Sequence, residues 1–375
     1  MRAQATSFVA RGETPIRVAK AAADAVRAVQ RPSGGLVFAS GDLLSDIGGL
    51  AARLKMALPE LPLLVVGGHG VLTERGEIER ETAVSGIVWQ GGQSTALAVT
   101  SEGDVGSALA AALAPLSAKT STAFVFASPR GSQPHTLEPL RGLEFRALFG
   151  GGTAGDRQVV AVMPGREPSI GSAGALVASN LHGPIVASSP ACRLLMPLRR
   201  ITKLRGPMVL EIDGEPALEV LSAAAKNLPD QPLVLAALAD APREGEERPP
   251  LLVRGIQGVD PARQGVIIAE EIKEGMRLAF AVRDAAAARV DLEAALSRLS
   301  RDAAGALPSF GVFLSCAGRG SSLYGQPDVD VRLVKARFSE TPIAGMHSSF
   351  EIAPHHGAAT LQLYTGVLAM FTNPS

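Results

Sequence analysis

Two neighbouring stretches decide the fold, "GLVFAS" (Gly35–Ser40) and "PLLVVGG" (Pro62–Gly68). Each is a short apolar run closed by small residues, which reads as a buried strand. Between them, "LLSDIGGLAARLK" has helical character, weakened by its Gly48-Gly49 pair. Strand, crossover, strand is the parallel unit of α/β proteins. Its right-handed crossover brings the ends of both strands to one edge of the sheet.

The pattern recurs. "AFVFAS" (Ala123–Ser128) and "RALFGGG" (Arg146–Gly152) form a second round, followed by "VVAVMP". "FGVFLSC" (Phe310–Cys316), a helix over Val329–Phe338, "TPIAGM" (Thr341–Met346) and "LYTGVLAMF" form the last. A looser round begins at "PLVLAALAD" (Pro232–Asp240) and runs through "GVIIAEEI" and "RLAFAVR". "SGIVWQ" (Ser85–Gln90) reads as a more exposed segment. Before the first round, Thr14 and Pro15 suit the cap and first position of a helix. Its apolar face would carry Ile16, Ala19, Ala23 and Val26. A second helix is expected over Ala285–Ala304, with Val290, Leu292, Leu296 and Leu299 inward. The fold class expected is therefore α/β, with mixed sheets flanked by helices and an internal duplication of strand-helix-strand units in two related domains. The acidic turn Asp213-Gly214-Glu215-Pro216 marks a division. It gives an N-terminal strand/helix extension over 1–30 and domains over 31–213 and 214–375.

Composition narrows the function. The 375 residues carry 36 lysines plus arginines and 36 aspartates plus glutamates, and the formal charge is zero. A neutral chain has no general attraction to phosphate backbones, and 4% aromatics leave few platforms for bases, so nucleic acid is not an expected partner. Two cysteines, Cys192 and Cys316, cannot make a disulfide framework or a cysteine-based zinc site. No apolar run reaches the ~20 residues of a membrane span, and the opening residues lack the apolar stretch of a secretion signal. A cytoplasmic protein without a membrane partner, metal or cofactor is expected.

Small and polar residues gather at the strand ends, where α/β sheets bind ligands. Three roles are open to Cys316 in "FLSCAGRG": a buried structural thiol, a ligand neighbour, or a nucleophile activated by a nearby arginine. A nucleophile needs an oriented base. His347, ending the neighbouring strand, is the first candidate, and His69 is the alternative. Arg319, flanked by Gly318 and Gly320, can grip a carboxylate with two hydrogen bonds, or can form an internal pair with Glu351 or Asp156. Arg130 occupies the similar "SPRG". "GGGTAGD" (Gly150–Asp156) can form a nest of backbone N–H groups through Gly151, Gly152 and Thr153. Asp156 then meets a ligand amine or caps a turn. The adjacent His355 and His356 read as an exposed turn.

At these residues the sequence resembles a family. "LFGGGTAGD", "ITKLRGPMVLEIDGEPALEVL", "FLSCAGRG" and "TPIAGMHSSFEIAP" are similar to FIST proteins, which combine FIST N and FIST C domains. "LLVVGGHGVLTERGEIE" is similar to the early glycine-rich turn of FIST N. Where the family carries a Cys-Ser-type pair, this chain has Gly67-Gly68-His69-Gly70. The family's late "GEI" is here Phe350-Glu351-Ile352. The resemblance implies a sensory module for a small polar or anionic metabolite, such as an amino acid, signalling through a separate protein. The expected ligand-binding set is Cys316, Arg319, Gly320, His347, Ser348, Glu351, Gly151, Gly152, Thr153, Asp156, His69 and Arg130, with no catalytic residue. A Cys316-dependent hydrolase or acyl-transfer enzyme is the alternative, and a ligand-free interaction scaffold the third.

Overall fold

The computed structural model describes residues 4–12, 14–101, 103–181, 183–228, 232–241 and 249–372; His182 lies outside them. The chain divides into two compact units. One comprises Met1–Ser189, Leu292–Leu361 and Thr365–Ser375, the other Pro190–Asp291 and Gln362–Tyr364.

The first unit writes one series of elements three times: opening strand, helix, first parallel strand, helical segment, second parallel strand, hairpin, closing strand. In copy one the opening strand is Ala5–Arg11, the parallel strands are Pro32–Ser40 and Leu63–Gly67, the hairpin joins Gly70–Thr73 to Gly76–Glu79, and Ala83–Gln90 closes. Copy two runs through Gln93–Val99, Ser121–Ala127, Ala147–Gly152, the hairpin Val159–Val162 with Ser169–Gly171, and Ala173–Ser179. Copy three uses Ile185–Pro190, Pro308–Cys316, Ile343–Ser348, the hairpin Glu351–His355 with Ala358–Gln362, and Thr365–Thr372. Within each copy the two parallel strands pair in register, and the closing strand runs antiparallel to the first of them. Each copy therefore centres one mixed six-stranded sheet.

The hairpins are exchanged in a cycle. Copy one's hairpin pairs with the second parallel strand of copy three, copy two's with copy one's, and copy three's with copy two's. The strand-helix-strand unit thus recurs three times in this unit.

The parallel strands read as unbroken apolar runs because both of their faces are covered. In copy one, Leu36 and Phe38 point to a core shared by all three sheets, with Phe124, Phe126, Phe149, Phe310 and Phe371. Val37 and Ala39, alternating with them, face the helices Pro15–Ala28 and Ile47–Ala57. In copy three, Phe313 points outward to Leu292, Leu296 and Leu299 of the helix Ala285–Asp302 and to Val331 and Val334 of the helix Val329–Arg337.

Four local expectations need correction, the first being Val290, which stays 61% exposed on the helix Ala285–Asp302 instead of facing inward with Leu292, Leu296 and Leu299. "SGIVWQ" is not exposed: it lies in copy one's closing strand, bonded on both sides, with Trp89 fully buried. The first helix buries Val18, Ala19, Ala22 and Ala25, while Ile16 stays 65% exposed. The looser round is not a parallel unit, because Val234–Ala239 pairs antiparallel with Leu252–Asp260 and Arg277–Arg283. These strands belong to the second unit, a largely antiparallel sheet with the helix Ala217–Ala225. At the level of the chain, this unit interrupts copy three between its opening strand and its helix. No helix among the described residues is long and apolar enough to cross a membrane.

Candidate functional site

The second parallel strands of the three copies end against one another. The carbonyls of Gly67, Gly152 and His347, equivalent by register, accept backbone hydrogen bonds from Ala154, Ser349 and His69 at 2.9, 3.1 and 2.9 Å. Copies one and two hold glycine where copy three holds His347. The same register makes Cys316 the counterpart of Ser40 and Ser128, both fully buried.

This convergence gathers much of the set named from sequence. Cys316 lies opposite Ser348, and Glu351 lies opposite Gly151. His69 reaches Ser349 Oγ at 2.9 Å through Nε2, and that hydroxyl donates to the Thr153 carbonyl at 2.6 Å. Protein packed round the His69 ring holds its pKa below the usual value, although the residue keeps an exposed edge. Glu351 is completely buried, accepting from Ser348 Oγ at 2.8 Å and the Thr365 N–H at 3.2 Å. Burial pushes its pKa well above the ordinary carboxylate range despite those donors. Asp156 and Arg130 stand apart, both exposed. Asp156 accepts from the adjacent Arg157 N–H, and the Arg130 N–H donates to Ser128 Oγ.

Arg319 takes a different arrangement from either sequence reading. Its side chain is fully enclosed, and its partner is Asp330, through Nε to Oδ2 at 2.7 Å and Nη2 to Oδ1 at 3.0 Å. Nη1 donates to the Ser189 carbonyl at 2.9 Å, and Nη2 also meets the Tyr324 hydroxyl at 3.0 Å. Burial works against both charges, but each outweighs it for the other: Asp330 stays below the usual carboxylate range and Arg319 stays protonated. The guanidinium is engaged by the interior, neither by Glu351 nor by Asp156.

Beside this pair lies a polar cluster that sequence reasoning missed. Glu77, Glu79 and His347 each offer a ligand atom, all within 4.8 Å of one another. The hairpin exchange assembles them. His347 pairs with Gly70, and Gly70 pairs with Glu79, so the imidazole and the carboxylate share a row and a face. Gly70 between them must lack a Cβ, which would stand 2.6 Å from the Ile78 carbonyl and 3.0 Å from His347 Cδ2. Glu77 follows on the same face. Its Oε1 accepts the Val331 N–H at 3.3 Å, in the first turn of Val329–Arg337. Glu79 Oε1 accepts from Ser321 N–H and Oγ, both at 2.9 Å. Gly320 permits this with φ +60°, where a Cβ would lie 2.6 Å from Glu79.

His347 is 3% exposed. One ring N–H donates to the Cys316 carbonyl, and Nε2 has no hydrogen-bond partner among the described residues. Burial lowers its pKa, leaving a neutral imidazole. Glu77 Oε2 likewise has no hydrogen-bond partner among the described residues and lies 4.0 Å from His347 Nε2. Burial, reinforced by Asp330, pushes Glu77 up to about 8. The sequence signal was the period-two pair in "GEIE", which puts two carboxylates on one strand face.

A cavity of about 280 Å³ opens onto Glu77, lined also by Arg11, Thr73, Arg75 and Asp328.

Comparison with known proteins finds relatives of this chain. The FIST N domain matches residues 34–215 and the FIST C domain residues 217–354. Their junction falls within the second compact unit. The uncharacterized protein MT0656 of Mycobacterium tuberculosis (strain CDC 1551 / Oshkosh) is 30% identical over 196 residues, 49% of this chain and 50% of its own. The uncharacterized protein Mb0898c of Mycobacterium bovis is 31% identical over 200 residues, again 49% and 50%. The chain spans about half the length of the curated relatives it matches.

Proposed function

We propose, from the premise that this chain belongs to the FIST family of sensory domains, that it binds a small polar metabolite and reports it to a separate signalling protein in the cytoplasm. The ligand class is an amino acid or a related small anion.

The observation that carries this reading is the cavity beside the hairpin of copy one. Its volume, about 280 Å³, suits a metabolite of this size. Its lining offers both signs of charge, with Arg11 and Arg75 against Asp328. A zwitterion needs that pairing. Arg11 and Arg75 are 61% and 65% exposed; the Arg11–Glu81 pair is a surface pair of small net worth, and Glu74, 15% exposed, keeps the Ser7 hydroxyl and the Ile343 N–H as donors when Arg75 turns away. Either can turn to a ligand carboxylate at little cost. Asp328 is fixed by the Glu77 N–H at 2.6 Å, which holds one wall in place.

The test is thermal unfolding across amino acids, keto acids and nucleotides. A ligand at about 100 times its Kd adds roughly 2.7 kcal/mol to stability. The shift is expected to vanish in the Arg11→Ala/Arg75→Ala double variant. A shift that survives that variant and disappears in His69→Ala would move the ligand to the strand-end cluster. No shift with any compound, or turnover abolished by Cys316→Ser, would defeat the sensory reading.

A further inference from the structure

The two other copies show what the fold itself requires at the Glu77–Glu79–His347 cluster. His347 stands where copies one and two have Gly67 and Gly152. The row Gly345–Leu72–Glu77 in the third sheet corresponds to Val65–Val160–Ile170 in the first, so Glu77 occupies the place of an isoleucine. An apolar residue and a glycine satisfy the same architecture elsewhere in the unit. Burying Glu77 and the His347 imidazole, with Glu79 half-buried beside them, is costly, and two of the inward atoms, Glu77 Oε2 and His347 Nε2, have no hydrogen bond among the described residues.

The geometry points to a binding site for one divalent transition-metal cation, held by Glu77, Glu79 and His347 Nε2. Two carboxylates neutralise a dication, the proton that burial keeps on Glu77 leaving to solvent as the metal binds, and the imidazole supplies the nitrogen donor. The surrounding bonds match how metal ligands are held. The second ring nitrogen of His347 is anchored by the Cys316 carbonyl, and Glu79 is anchored by the Ser321 N–H and hydroxyl. The mixed oxygen and nitrogen set favours Mn²⁺, Fe²⁺, Co²⁺ or Zn²⁺ over soft Cu⁺. Bonds of about 2.0–2.2 Å bring such ligand atoms roughly 3–3.5 Å apart. The cluster, now within 4.8 Å, closes by carboxylate rotation about the His347 anchor. Three protein ligands leave further coordination positions for water. Glu79 and His347 are outside the lining of the cavity proposed for the metabolite, so this inference stands or falls separately from the metabolite reading.

The experiment uses the full chain, stripped with EDTA and exchanged into chelator-free buffer. It is titrated calorimetrically with MnCl₂ and with ZnCl₂, without metabolite, and metal content is measured after desalting. One equivalent per chain is expected for at least one of the two cations. His347→Ala, Glu77→Gln and Glu79→Gln should each weaken it by about tenfold or more. His355→Ala/His356→Ala, which removes the adjacent pair of rings on the closing hairpin, should leave it unchanged. Absence of binding by both cations, binding unaltered in the three site variants, or binding lost in the His355/His356 variant would each overturn the site. Should His347→Ala fail to fold, the near-isosteric Glu79→Gln decides by the same threshold.

Discussion

Replacing Arg319 with methionine asks whether the guanidinium is a structural element or a ligand grip. The substitution keeps most of the aliphatic stem and removes the charge. Asp330 is then left with a side chain fully enclosed and without its cation, and the Ser189 carbonyl loses a 2.9 Å donor. Breaking a buried pair from one side costs about 3–5 kcal/mol, because the remaining charge is stranded. At roughly 2–3 °C per kcal/mol for a unit of this size, the melting temperature falls by about 6–15 °C. Urea unfolding followed by circular dichroism measures the same loss at constant temperature. The double variant Arg319→Met/Asp330→Leu removes both charges and should recover most of it, to within about 1–2 kcal/mol of wild type. The pH dependence has a definite sign. Asp330 has a depressed folded pKa, so the pair's contribution is present above the ordinary carboxylate value of about 4 and is lost as pH falls through the folded value. Wild type and Arg319→Met should therefore converge in acid. A single variant within about 1 kcal/mol of wild type at neutral pH would refute the reasoning, and would return Arg319 to the list of ligand contacts.

Cys316→Ser should change stability by less than about 1 kcal/mol in urea and leave any ligand-induced thermal shift in place, since Ser40 and Ser128 occupy the equivalent positions. Gly150→Ala and Gly345→Ala should each destabilise by about 3 kcal/mol or more, because the new Cβ would stand 1.6 Å from the carbonyl oxygens of Val125 and Phe313; soluble variants of wild-type stability would contradict the parallel register. Cys192 is pushed up to about 12 by burial, so at pH 8 its thiolate fraction is on the order of 10⁻⁴, against about a quarter for a free thiol. Labelling by iodoacetamide, read by peptide mass, should be slow at Cys192 in the folded chain and fast in urea.

The parallel strands were legible because both of their faces are buried, so their apolar runs need no partner to be recognised. Their order was legible too, since right-handed crossovers leave little choice. The hairpin exchange was not. "GVLTERGEIE" carries the alternation of a hairpin, but nothing local tells it to leave its own sheet for His347 of copy three. Glu77 and Glu79 were missed for that reason, while the adjacency of Cys316, Ser348 and His347 was legible, because neighbouring parallel strands bring them together directly. "SGIVWQ" was misjudged because alternation with glycine and glutamine resembles a half-exposed strand, whereas pairing on both sides buries it. Arg319 was singled out correctly as unusual. Its partner Asp330 opens a helix eleven residues on, and glycine flanks alone could not say whether the guanidinium would turn outward or in.

Three copies of one unit give the chain an internal control, and the differences among them separate folding from function. The backbone ring at the strand ends is the same in all three, so it belongs to the architecture. Cys316 is matched by Ser40 and Ser128, so a small buried residue suffices there. His347 is matched by two glycines, and Glu77 by Ile170, with no structural demand for charge at either place. The Arg319–Asp330 pair and the Tyr324 hydroxyl, also in copy three, buttress the side of the cluster on which Glu77 is pushed toward its protonated form. A buried titratable group that the fold does not need is an expense tolerated only where it acts. The asymmetry therefore directs attention away from the glycine-rich turn of copy two and toward the junction of copies one and three. In that junction a cation or a polar ligand meeting Glu77 would alter the contact between that hairpin and the helix Val329–Arg337, and the Glu77–Val331 hydrogen bond is the first link that such a ligand would change.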